Sequence, residues 1–157
     1  MRDVGFKNEI EDFVINCPIP LQDKIVLIST VELASDEKEI FWNALLLLYK
    51  QLEKENIQIE CLRCVHIFFT PDGNLEIINQ SKAYWGVTFS LIIYSIDKFR
   101  QKGNPIYYCT IFLEELCHHF WNIEDEKLVK HKVLEIMQNL KTDFVLSDIY
   151  PDGAYYE

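Results

Sequence analysis

Residues 106–121 read IYYCTIFLEELCHHFW, and the rest of the chain is organised around this run. On a helix, at about 100° per residue, Ile106, Cys109, Leu113, Leu116, Cys117 and Phe120 fall on one continuous apolar face. The flanks are not the usual charged solvent face. Tyr107, Ile111 and Trp121 surround Glu114 and His118, while Tyr108 and Phe112 surround Glu115 and His119. A helix apolar nearly all round is normally buried. Its only acids and bases, Glu114, Glu115, His118 and His119, must then find partners, shift their pKa or bind a metal, because an unpaired buried charge costs on the order of several kcal/mol.

Residues four apart project from the same helix face, so Glu114 with His118 and Glu115 with His119 both have metal-site spacing. In the first register the segment EELCH, residues 114–118, resembles the HExxH helix of zincin metallopeptidases, with Glu114 standing where the first His belongs. The resemblance implies zinc held by Glu114, His118 and a carboxylate from the following helix, for which Glu126 is the candidate, with Glu115 as the base that activates water. In the second register, ExxHH is similar to an inverted HxxEH helix and makes His119 an alternative ligand. The order of elements over residues 35–140 also looks like a small zincin domain. It implies an α+β fold in which a small, mostly antiparallel sheet with a hairpin packs against three or four helices. The activity implied is zinc-dependent hydrolysis of a peptide or amide bond, with an extended substrate pairing along the strand at residues 87–96. The alternative is a non-catalytic zincin-like domain in which the four polar groups satisfy one another and the protein acts by binding a protein partner.

Composition narrows the remaining classes. The 157 residues, 49% hydrophobic and 13% aromatic, suit one domain spanning residues 1–157, with residues 141–157 a less regular tail that docks on the body or meets another subunit. Lys plus Arg total 15 against 25 Asp plus Glu, a net charge of -10, which argues against unspecific binding to nucleic acid or to an anionic membrane. The first residues, MRDVGFKNEI, have no apolar signal core and no apolar run is long enough to span a bilayer, so a soluble, cytoplasmic protein is expected. Cys17, Cys61, Cys64, Cys109 and Cys117 are an odd number, and reduced thiols follow. Cys61 and Cys64 have CxxC spacing but lie in an expected strand, which predicts ordinary buried thiols rather than a zinc knuckle or redox pair.

Elsewhere, apolar spacing predicts a short helix over residues 4–16, a strand within 22–33, and a long helix from Ser35 or Asp36 to Asn56 carrying Ile40, Phe41, Ala44, Leu45, Leu48 and Leu52. Residues 57–69 have strand bias, Pro71-Asp72-Gly73-Asn74 is a turn, and Leu75, Ile77 and Ile78 complete the expected hairpin. His66 reads as a structural strand residue. Residues 81–86 read as a loop, 97–101 as a polar stretch, and Lys102-Gly103-Asn104-Pro105 as the break before the central helix. A last helix begins near Glu126, with Val129, Val133, Ile136 and Leu140 as its apolar stripe.

Overall fold

The structure, a computed structural model, describes residues 4–6, 17–79 and 90–151. In chain order the elements are β1 (Val4–Phe6), β2 (Ile25–Ser29), α1 (Ser35–Lys54), β3 (Val65–Thr70), β4 (Ile77–Asn79), β5 (Leu91–Ser95), α2 (Ile96–Lys102), α3 (Pro105–Trp121), α4 (Glu126–Met137) and α5 (Leu146–Ile149). The fold is α+β as expected, but the sheet corrects the expectation of a mostly antiparallel, zincin-like arrangement. β2, β3 and β5 form one sheet in which both pairings are parallel, with Ile25 opposite Val65 and His66 opposite Leu91. The antiparallel pair is β1 with β4, Val4 opposite Asn79.

The hairpin expected around Pro71 is therefore absent, although its turn forms. Gly73 takes a φ of 87° and its N–H donates to Thr70 Oγ1 at 2.9 Å, and the Asn74 N–H donates to Asp72 Oδ1 at 3.0 Å. A turn gives the chain a reversal but not a partner. Both edges of β3 are occupied, by β2 on one side and β5 on the other, so residues 77–79 pair elsewhere. Val65, Ile67, Phe68 and Phe69 are all fully buried, an apolar run interrupted only by the half-buried His66, as suits a central parallel strand.

Long β-type sequence upstream of β3 does not become strand. Asn56, at φ 54°, ends α1 in a Schellman motif, with the Ile57 N–H donating to Leu52 O at 2.9 Å and the Asn56 N–H to Glu53 O at 3.0 Å. The chain then makes a 3-10 turn over Ile59–Cys61 before β3 begins. Val4–Phe6 is likewise strand where a helix was expected; the rest of that expected helix, residues 7–16, and the expected loop at 81–86 lie outside the described residues. The polar stretch at 97–101 is helix α2, capped by Ser95.

α1 and α3 pack together on the sheet through an aromatic core. Phe41 of α1 lies 4.7 Å from Phe69 of β3 and 5.0 Å from Phe112 of α3, centroid to centroid, and Tyr94 of β5 lies 5.2 Å from Phe112. The Tyr94 hydroxyl, fully enclosed, donates to Phe112 O at 2.8 Å and so ties the edge strand to the middle of α3. α4 closes the other side of α3 with Val129, Val133 and Ile136 buried; Leu140 falls beyond its end and is 65% exposed, not part of the stripe. Among the described residues no helix is long and apolar enough to cross a membrane.

Candidate functional site

Local sequence sets the ends of α3 where the spacing predicted them. Asn104 Oδ1 accepts the Ile106 N–H at 3.0 Å, Pro105 occupies the first turn where its missing donor costs nothing, and Asn122 takes the left-handed conformation (φ 51°) that stops the helix. Between these ends the apolar face is core: Cys109, Leu113, Leu116 and Cys117 are buried. The expectation of burial all round is not met. Glu115 is exposed, and Glu114, His118 and His119 are half-buried.

The four polar groups go to separate partners. Glu114 Oε2 accepts the Tyr150 hydroxyl at 2.8 Å, which docks the segment after α5 onto α3. Burial pushes the Glu114 carboxyl above its ordinary range, opposed by that bond and by the Lys130 charge and reinforced by Glu126 and Glu115. The Tyr150 hydroxyl is pushed up too, first by burial and then by Glu114. His118 donates from Nδ1 to Ile123 O at 2.5 Å, which in the neutral ring leaves Nε2 as the lone-pair nitrogen, 3.6 Å from Glu126 Oε1. That separation is too long for a hydrogen bond. His119 donates from Nε2 to Arg63 O at 3.0 Å, at the approach to β3.

Of the residues expected to hold zinc, the fold brings His118 and Glu126 together and leaves Glu114 one turn away, engaged by Tyr150. Among the described residues no group of three or more His, Cys, Asp or Glu side chains is disposed to hold a metal ion. The acid that stabilises the start of α4 is Asp125, whose side chain accepts the Leu128 N–H at 2.9 Å; Glu126 is 56% exposed at its side chain and free to face His118. His66 sits in the central strand β3.

Glu115 belongs to a different place. With Ile111 and Tyr107, one and two turns earlier on the same face, it lines a cleft of about 350 Å³. The opposite wall is Ile93, Tyr94 and Ser95 of β5, and the end is closed by Asp72 and Gly73 and by Lys98 of α2. Among the described residues β5 is an edge of the sheet, so this cleft runs along a strand with one side unpaired and opens at the carboxyl ends of parallel strands, where such sheets commonly bind ligands. Sequence reasoning missed Ser95, Lys98 and Asp72 because their approach depends on a parallel β3–β5 pairing. The row Tyr107–Ile111–Glu115 follows an i, i+4, i+8 spacing, whereas the sequence reading grouped Tyr107 and Ile111 with Glu114 and His118.

Comparison with protein-family models, with curated proteins and with solved structures gave no match to this chain.

Proposed function

We propose that this chain is a protein-binding domain that takes an extended segment of a partner along the outer edge of β5, with a partner side chain seated in the cleft against Tyr107, Ile111 and Glu115. The observation that carries the reading is that the edge strand and the α3 stripe are the two walls of one cleft. An edge strand offers unpaired main-chain groups for affinity, and a pocket reached by alternate side chains offers specificity. Ile93, Ile111 and Tyr107 favour an apolar or aromatic residue, and two acids, Glu115 and Asp72, against one lysine, Lys98, favour a neighbouring basic one, in keeping with a chain of net charge -10. The test is selection from a random displayed peptide library, followed by binding measurements on wild type, Glu115→Lys and Ile93→Asp. Enriched peptides should bind each variant at least about tenfold more weakly, a loss of ~1.4 kcal/mol, and should slow amide exchange in residues 91–95. Failure to enrich any peptide, or peptides indifferent to both substitutions, would overturn it.

A second reading, zinc-dependent hydrolysis, is favoured by one observation. A 3.6 Å gap between His118 Nε2 and Glu126 Oε1 suits two ligands that each lie about 2.0–2.2 Å from one tetrahedral ion. A ligating His also commonly donates its other N–H to a backbone carbonyl, as His118 does to Ile123. With Glu114 held by Tyr150 the donor set is not a cage, and no catalytic step follows from it. Tag-free protein carrying one zinc per chain, lost in His118→Ala, would support this reading; protein that takes up no zinc at neutral pH would remove it.

A further inference from the structure

Residues 61–64, Cys-Leu-Arg-Cys, lie outside the strand and outside the core in which they were expected. Cys61 closes the 3-10 turn, Cys64 is the last residue before β3, and both are exposed, whereas Cys17, Cys109 and Cys117 are buried. Burial pushes the Cys17 thiol up to about 11 and the Cys109 thiol up to about 12, and raises Cys117 as well, so those three are poor nucleophiles near neutral pH. Accessibility thus divides the five thiols into a reactive pair and an inert three.

The pair is local. Two residues separate the sulfurs along the chain, and Leu62, the residue after the turn, is in extended conformation and begins an irregular stretch that ends at Val65. Closing the pair requires this irregular stretch to bend, because an extended residue between two cysteines carries their Cα atoms apart; the loop to be closed is short, so its entropic cost is small. The contacts that a bridge would disturb are weak: Cys64 Sγ lies 3.3 Å from Asp23 O, and Cys61 Sγ lies 3.9 Å from Gln58 Oε1. The flanking backbone is anchored, since Lys24 Nζ donates to Glu60 O at 2.8 Å and to Leu62 O at 2.9 Å.

We propose that Cys61 and Cys64 form a thiol pair that closes to an intramolecular disulfide by exchange with a small-molecule disulfide such as oxidised glutathione. One of the two thiolates attacks a glutathione sulfur, forming a mixed disulfide and releasing the first glutathione thiolate. The second Cys thiolate then attacks the protein sulfur of that mixed disulfide and releases the other. Two protein thiols are oxidised, one glutathione disulfide is reduced to two thiols, and the two protons pass to the departing thiolates. The loop so bridged is the one whose Arg63 carbonyl receives His119 and whose Arg63 guanidinium faces Asn122 Oδ1 at 3.4 Å, so the oxidation acts next to the end of α3.

The experiment treats the full folded chain with oxidised glutathione, alkylates the remaining thiols after denaturation, and reads intact mass and peptides. The expected result is a loss of about 2 Da and of two alkylation sites, both at Cys61 and Cys64, reversed by dithiothreitol. Cys61→Ser and Cys64→Ser should each instead hold one glutathione on the remaining exposed thiol. Wild type that accumulates glutathione on the two thiols without closing, that forms covalent dimers, or that keeps both thiols reduced while the single variants are modified would overturn the proposal.

Discussion

Glu114 and Glu37 are both carboxylates with a single dominant partner, and they respond to pH with opposite sign. Burial raises the folded-state pKa of Glu114 above its ordinary 4.5, so the stability it contributes is full below that value and is lost as pH rises through the folded pKa. Gln cannot titrate and keeps an oxygen to accept the Tyr150 hydroxyl. Glu114→Gln should therefore melt roughly 1–2 °C higher than wild type at pH 7, a small gain because solvent screens a half-buried carboxylate. That gain should vanish below pH 4.5, and thermal scans across this range check it. Tyr150→Phe, which removes the donor but leaves the acid, should lose about 1 kcal/mol at pH 7. Glu37, only 5% exposed, is held low by Arg100, whose Nε and Nη2 donate to its two oxygens at 2.8 and 2.9 Å, and also by the Ala34 N–H. Its contribution is present above the ordinary 4.5 and is lost as pH falls through the depressed value. Arg100→Ala should cost about 2 kcal/mol at pH 7 and much less in acid.

At the scale of elements, the clamp between α1, α3 and α4 is Glu55. Its Oε2 accepts the Trp121 indole N–H at 2.7 Å and its Oε1 accepts Lys132 Nζ at 2.9 Å, while Lys132 also lies over the Trp121 ring, 5.5 Å from its centroid. Gln51 donates to the same carboxylate and accepts Asn139 Nδ2 at 2.8 Å, so the Glu55 side chain ties the end of α1 to the end of α3 and the middle of α4, and Gln51 adds the segment after α4. Glu55→Ala strands the Trp121 indole N–H and leaves Lys132 paired with Glu135 alone, 2.6 Å from its Oε2, and should lower unfolding stability by about 2 kcal/mol. Glu55→Gln should lose less than half of that, since it still accepts from Trp121; denaturant titration of the pair decides. These helices were legible because their ends are written in residues with local physics: Asn104 and Pro105 start α3, Asn122 stops it, Asn56 stops α1 and Asp125 caps α4. Strand direction has no such local mark. The Pro71 turn looks the same whether the chain after it pairs with β3 or, as here, with β1.

For the whole molecule, the α3 polar groups were visible in the sequence, but their destinations were not. Glu114 meets Tyr150, 36 positions away, and His119 meets Arg63, 56 positions away, contacts that no helical spacing encodes. What periodicity did encode is that Glu114 and Glu115 diverge by about 100°, and the fold converts that divergence into two environments: a half-buried one facing Tyr150 and α4, and an open cleft beside β5. The open one is where the molecule's charge bears on association. With 25 acidic and 15 basic residues, the long-range field attracts cations, and the cleft adds to it with Glu115 and Asp72 against Lys98 alone. Peptides selected by the cleft should therefore carry Lys or Arg next to their apolar anchor. Their association rate should fall several-fold between about 0.05 and 0.5 M salt as the Debye length shrinks, with the dissociation rate far less affected. Stopped-flow mixing at a series of ionic strengths measures both. A flat association rate would mean that the apolar wall alone selects the partner and that the acidity of this chain serves solubility.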